Sequence, residues 1–216
     1  MPRELPDAAS ARAILRYCGM TTSSSPGGNK ARMEAAERIL RSAVRCIVTS
    51  GASAVTMHDV AEEAGVSKGL IHYHFHDKAT LLARAVEWMT RMVVARETRA
   101  LAASTPRHAI DDLWTWLAAE LERGHLRVLL EHAEWREPLV VRAIQASAAT
   151  RRAAAVASIE QLFALLALRP RIQPELLADV VVPFIDGLAV ATQVDPAFNA
   201  RAAFDVLWLS LLGLAE

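Results

Sequence analysis

Cysteine is nearly missing: Cys18 and Cys46 are the two in 216 residues, far apart and without paired spacing. That excludes a disulfide framework and points to free thiols in a reducing compartment. An excess of charge of one sign is missing too, with Lys+Arg 24 against Asp+Glu 24, so no global field draws the chain to nucleic acid and any such contact must be local. No stretch of about eighteen apolar residues runs without a charge or breaker; 180–194 comes nearest, with Pro183 and Asp186 inside it, so no membrane span is expected. The start carries Pro2, Arg3, Glu4, Pro6 and Asp7 instead of a basic stretch followed by an apolar one, and a cytoplasmic location is expected. Glycine is scarce and no run alternates at period two for long, whereas Ala, Leu and Arg abound, which reads as all-helical. The length suits one compact unit or two small ones.

The densest grammar lies between Thr56 and Lys78. Met57, Val60, Ala61 and Ala64 recur at i, i+3, i+4 and i+7, one apolar stripe of a helix that the Thr56 hydroxyl can cap. Gly65 tolerates the left-handed conformation that ends a helix, Val66 fills the turn, and Ser67 caps a second helix over roughly Lys68 to Phe75. On that helix Ile71 and Phe75 point inward, and Gly69, Leu70, His72 and Tyr73 outward. Such a face suits a major groove. Gly69 allows close backbone approach, Tyr73 and His72 can bond to phosphates or base edges, and Leu70 can touch a thymine methyl. Lys68 and Lys78 supply cations, together with Lys30 and Arg32, and Thr56, Ser67 and His74 complete the candidate contacts.

Ala-Gly-Val-Ser-Lys-Gly at 64–69, Tyr-His-Phe at 73–75 and Asp-Lys-x-x-Leu-Leu at 77–82 resemble the DNA-binding domain of the tetracycline-repressor (TetR) family of bacterial transcription regulators. The resemblance covers about Ala31 to Val86. It departs at His72, where the family most often has tyrosine, and at Leu70, where a small polar residue is common; both bear on base preference. It implies an all-α protein with a three-helix, homeodomain-like helix-turn-helix domain and a helical regulatory domain. It also implies a homodimer on a double-stranded, pseudo-palindromic DNA operator, and repression released by a small-molecule effector. The corresponding layout is an extension over 1–29, a DNA-binding domain over 30–77, and a ligand-binding and dimerisation domain over 78–216. The extension contains linker composition at Thr21 to Gly28, and is either an arm that follows DNA or dispensable.

Ala31 to Ser50 reads as a helix with Ala36, Ile39, Leu40, Ala43 and Ile47 on one stripe, stopped at Gly51. A long connector follows from the Asp77 cap toward Ala103. Beyond Pro106, stripes at Ile110, Leu113, Trp114, Leu117 and Leu121, then at Leu126, Leu129, Leu130 and Ala133, alternate with breakers at Gly124 and Pro138. An Ala-rich helix over about Leu139 to Leu168 precedes two last helices, about Pro174 to Val194 and Pro196 to Ala215. Leu177, Val180, Val181, Phe184 and Leu188 on one, with Phe204, Leu207, Trp208, Leu211 and Leu212 on the other, offer more apolar area than a single body needs to cover. Dimerisation through this pair as a four-helix bundle is expected.

His72, His74 and His76 alternate near His58, but on a helix they do not converge, and no metal site is expected. Glu131, His132, Glu134, Trp135 and Arg136 cluster without a nucleophile elbow, phosphate loop or metal motif, so neither catalysis nor a cofactor is expected. The cluster is either a solvated face or part of a ligand cavity. Candidate ligand contacts are Trp114, Leu117, Leu129, His132, Trp135, Phe163 and Phe184, with Trp114 preferred over the outward Trp116. Two rival functions stand beside the regulator: a constitutive DNA binder, and a small-molecule-binding helical protein that never touches DNA.

Overall fold

The computed structural model describes residues 26–130 and 136–216, with side chains from residue 30 onward. Most of the sequence-derived extension, with Cys18, lies outside the described residues. Helices follow one another: α1 (Pro26–Ser50), α2 (Met57–Ala64), α3 (Lys68–Phe75), α4 (Lys78–Ala102), α5 (Ala109–Arg123), α6 (His125–Leu130), α7 (Pro138–Leu165), α8 (Pro174–Val194) and α9 (Ala200–Leu212). The fold is all-α; among the described residues β structure is limited to an isolated antiparallel bridge between Pro170 and Ala215. Contacts divide the chain between Ala36 and Glu37, and the unit from Glu37 onward holds both the helix-turn-helix and the later helices.

Helix ends fall where side chains can satisfy the first backbone N–H groups. Thr56, Ser67 and Asp77 cap α2, α3 and α4, each accepting from the backbone three residues on. The structure corrects some sequence boundaries. α1 is already helical at Pro26, a residue compatible with a helix start, within the stretch read as linker. α9 starts at Ala200 instead of Pro196, because Asn199 accepts from the Ala202 N–H at 3.0 Å and sets the cap there. By contrast, α8 spans Pro174–Val194 as expected and runs through Pro183. By length and composition α8 is, among the described residues, one helix able to cross a membrane.

Ile39, Ala43 and Ile47 of α1, Val60 of α2, and Ile71 and Phe75 of α3 are buried and furnish the interior of the first three helices. Farther along, α4 packs most extensively against α7, and α7 against α8. Thr90 and Ser147 close the α4–α7 seam with a buried hydroxyl pair at 2.6 Å.

Of the surplus expected on the last two helices only Val180 is uncovered; most of it lies elsewhere than the periodicity put it. Leu177, Val181 and Leu188 of α8 and Phe204, Trp208 and Leu211 of α9 are buried in the chain's own core, while Phe184, Leu207 and Leu212 pack partly against it. Their stripe is the one this chain needs for itself. A second stripe is the uncovered one: Leu176, Val180, Val190 and Val194 on α8, with Val206 and Leu209, the latter 71% exposed, on α9. Both faces of these helices are apolar, and periodicity cannot say which one turns inward.

Glu120 is fully buried yet charged. It receives Arg96 of α4 through two bonds, 2.6 and 2.8 Å, and Arg123 at 3.0 Å, with His125 of α6 beside it at 3.6 Å. Burial alone raises its pKa, but the hydrogen bonds from His125 and Arg96 and the charges of Arg96 and Arg123 outweigh burial and hold the carboxyl below its usual range. Removing one side of such a cluster leaves uncompensated buried charge, so Glu120→Ala is expected to lose about 3–5 kcal/mol, read as a lower urea midpoint. Because its folded pKa is depressed, the carboxylate's contribution is complete above the ordinary glutamate range and disappears as pH falls through the folded value. Stability against pH should therefore drop on the acid side in the wild type and be flatter there in Glu120→Gln.

Candidate nucleic-acid interface and helical cavity

The α2–turn–α3 unit is fixed at each junction. Thr56 and Asp59 form a reciprocal box: the Thr56 Oγ1 accepts from the Asp59 N–H at 3.2 Å, and the Asp59 carboxylate accepts from the Thr56 N–H at 2.9 Å. That backbone hydrogen bond holds the Asp59 carboxyl below its usual range. Gly65 closes α2 at φ 62°, a conformation that disfavours any residue with a Cβ, and the chain turns into Ser67, which accepts from the Leu70 N–H.

Burial of Ile71 and Phe75 leaves the opposite face of α3 outward. Lys68, Gly69, His72 and Tyr73 are exposed, Tyr73 at 61%, while Leu70 and His74 are half-buried. His74 packs edge-on to Tyr73 with ring centroids 5.2 Å apart. The His72 Nδ1–H donates to the His76 carbonyl at 2.8 Å, capping the end of α3 and leaving Nε2 for other partners. The sequence did not suggest this, because His76 has a positive φ of 61° that only the folded turn reveals. Lys78 is half-buried, its Nζ donating to the Ser53 carbonyl at 2.9 Å. Among the described residues no group of three or more His, Cys, Asp and Glu gathers as metal ligands do.

A cavity lies among the later helices. α4 contributes Val93 and Glu97, α5 Leu113 and Trp116, and α6 Leu126. Arg151, Ala155, Ser158 and Ile159 of α7 form another wall, and Val181, Val182 and Ile185 of α8 with Phe204 and Trp208 of α9 complete it. Free space within it is about 40 Å³, inside a crevice of about 590 Å³ that includes its open mouth. Desolvation pushes the Glu97 carboxyl up, against a hydrogen bond with Ser158 and the charge of Arg151. Arg151 is itself paired with Asp186. The indole N–H groups of Trp116 and Trp208 are buried and lack an acceptor among the described residues. Each such donor costs about 1–3 kcal/mol.

Among the described residues, the sequence-derived ligand candidates are distributed elsewhere. Trp114 lies against Phe204, centroids 5.3 Å apart, with the Arg201 guanidinium 5.6 Å from its ring. Leu117, Leu129 and Phe163 are core residues, and Phe184 is half-buried against that core. His132 and Trp135 lie outside the described residues. Trp116 lines the cavity although periodicity placed it off the inner stripe of α5.

α6 joins the cavity to α1. Leu126 lines the wall, and the neighbouring Arg127 donates through Nη2 to the Val48 carbonyl in the last turn of α1, a favourable end for a cation. Gly124 has φ 70°, and a Cβ there would meet the Val48 side chain at 3.1 Å, so α6 starts close against α1.

A capped helix-turn-helix with an exposed polar face is thus followed by a set of longer helices. Residues 39–85 match the family model described as bacterial regulatory proteins, tetR family. It is 37% identical over 59 residues to the uncharacterized HTH-type transcriptional regulator YerO of Bacillus subtilis (strain 168), a match that covers 27% of this chain and about a fifth, 20%, of that protein's length. The fold beyond the match is like that of solved structures. A TetR-family transcription regulator from Rhodococcus sp. superposes with a TM-score of 0.68 at 20% identity, covering 84% of this chain and 98% of the other. A transcriptional regulator from Saccharomonospora viridis, solved in complex with choline, gives 0.62 at 22% identity over 81% and 94% of the two chains.

Gly69 tests the outward face. A Cβ there would meet nothing nearer than Ser67 Oγ at 3.9 Å, so the fold itself does not require glycine. Gly69→Ala is expected to raise stability by about 0.4–1 kcal/mol in thermal or urea unfolding, while weakening DNA binding in a gel-shift titration.

Proposed function

We propose that this chain is a transcriptional repressor that binds a pseudo-palindromic operator as a homodimer and leaves it when a small molecule fills the helical cavity. The exposed face of α3, held between two caps while Ile71 and Phe75 anchor it, carries the DNA-binding half of this reading. Lys68 and Tyr73 meet phosphates or base edges, His72 presents Nε2, and Leu70 and Gly69 shape the apolar, close-approaching part of the contact. Thr56, Ser67, His74 and Lys78 flank it.

The uncovered stripe of α8 and α9 supports the dimer. Val180, Val190, Val206 and Leu209 cover one another when a second copy docks by a two-fold axis, and two α3 helices then read two half-sites. Effector control works through a difference in affinity between two dimer states, and reciprocity requires the operator to weaken the effector equally. α6 is the coupling element of this reading: an occupant that displaces Leu126 also moves Gly124 and Arg127, and with them the end of α1. That a protein of this fold was solved in complex with choline supports a small-molecule ligand for this chain. The small free volume favours a second reading, a regulator without an effector.

Selection of sites from random DNA by purified protein should yield inverted half-sites; sequence-independent retention would remove the operator reading. Tyr73→Ala is expected to lose discrimination between sites, whereas Lys68→Ala should weaken all sites alike and lower the salt slope by about one. Leu209→Glu should convert the dimer to monomer in sedimentation and reduce operator affinity with the helical content unchanged. An unchanged oligomeric state would remove α8 and α9 as the interface.

A further inference from the structure

The cavity's chemistry narrows what it holds. Its surface is mostly apolar and aromatic, with Trp116, Phe204 and Trp208 contributing rings from two helices. Its polar groups divide into committed and uncommitted ones. Arg151 is engaged by Asp186, so its charge is neutralised before any occupant arrives. The Trp116 and Trp208 N–H groups, by contrast, are donors without acceptors among the described residues. An indole nitrogen only donates, so what it lacks is an acceptor.

We propose that the cavity takes a neutral, mostly aromatic or aliphatic small molecule bearing a hydrogen-bond-accepting oxygen, such as a ketone or ether, received by the indole N–H groups of Trp116 and Trp208. This rests on the reading of the cavity as the effector site. An anion has no uncommitted cation to meet among the lining residues, since Arg151 already faces Asp186. A cation has Glu97, but that carboxyl is pushed toward its protonated form by desolvation, and in that form it is a further donor. Neutral oxygen acceptors suit both states of the wall. The free space of about 40 Å³ holds little more than water, so the occupant must spread the walls, including Leu126 of α6. Ligand size and the coupling through α6 are thereby linked.

Four probes of one shape separate the alternatives: benzophenone, diphenylmethane, diphenylmethylammonium and diphenylacetate. Binding to the full-length chain is read by thermal shift and by the indole N–H signals in ¹H–¹⁵N spectra, assigned with Trp116→Phe and Trp208→Phe. Benzophenone is expected to bind about tenfold more tightly than diphenylmethane and to move one or both of those two signals downfield. Each Trp→Phe change should remove part of that preference, about three- to tenfold, while diphenylmethane binding stays level. Equal affinity for diphenylmethane, preference for the ammonium or the carboxylate, unmoved indole signals, or no binding by any probe would overturn the assignment. A gel shift with the selected operator separates this from the function proposed above. Benzophenone that binds as expected without releasing DNA leaves the ligand class standing and removes effector control. Release by the charged probes instead does the reverse.

Discussion

The buried charge of Glu120 constrains more of this structure than any other single group. A carboxylate without solvent must be met by donors, and here three helices gather round it: α4 and α5 bring the Arg96 and Arg123 guanidinium groups, and α6 sets the His125 ring beside them. The crossing of α4 with α5 and the abrupt start of α6 are therefore set together. Gly124, at φ 70°, permits the turn between them. Once α6 begins there, Leu126 falls on the cavity wall and Arg127 on the end of α1. On α4, Glu97 follows Arg96 and lines the cavity, so neighbouring residues serve the charged junction and the pocket.

The helix-turn-helix depends on different forces. α3 is too short to be stable alone, and surface pairs such as Arg45–Glu63 contribute at most about 1 kcal/mol. Burial of Ile71 and Phe75 and the cap at Ser67 hold it instead. Since its inward side chains secure its position, the outward face remains exposed. Leu70 and His72, which depart from the family pattern, lie there, although the His72 ring also braces the turn through His76.

Much of this was legible in the residues. Thr56, Gly65, Ser67 and Asp77 sit where backbone chemistry demands a cap or a left-handed turn, and those demands are local, so the pattern set helix ends there. Where several local signals competed, it did not. Pro196 begins a plausible helix, yet the Asn199 cap is the start observed. On α5 the periodicity favoured Trp114 for a cavity, whereas Trp116 lines it, because curvature and neighbouring helices decide which flank of an apolar helix opens into space.

By itself, then, the sequence determined the all-α class, the two short helices and their turn, and the residues of α3 that face outward. All follow from periods and caps spanning fewer than about ten residues. Tertiary structure alone decided which apolar face of α8 and α9 serves the core and which remains uncovered. It also brought Arg96 to Glu120, Arg127 to Val48, and the Trp116 and Trp208 indoles to one cavity. The first two pairs are 24 and 79 residues apart in the chain and the indoles are farther still, so packing supplies what no local period encodes.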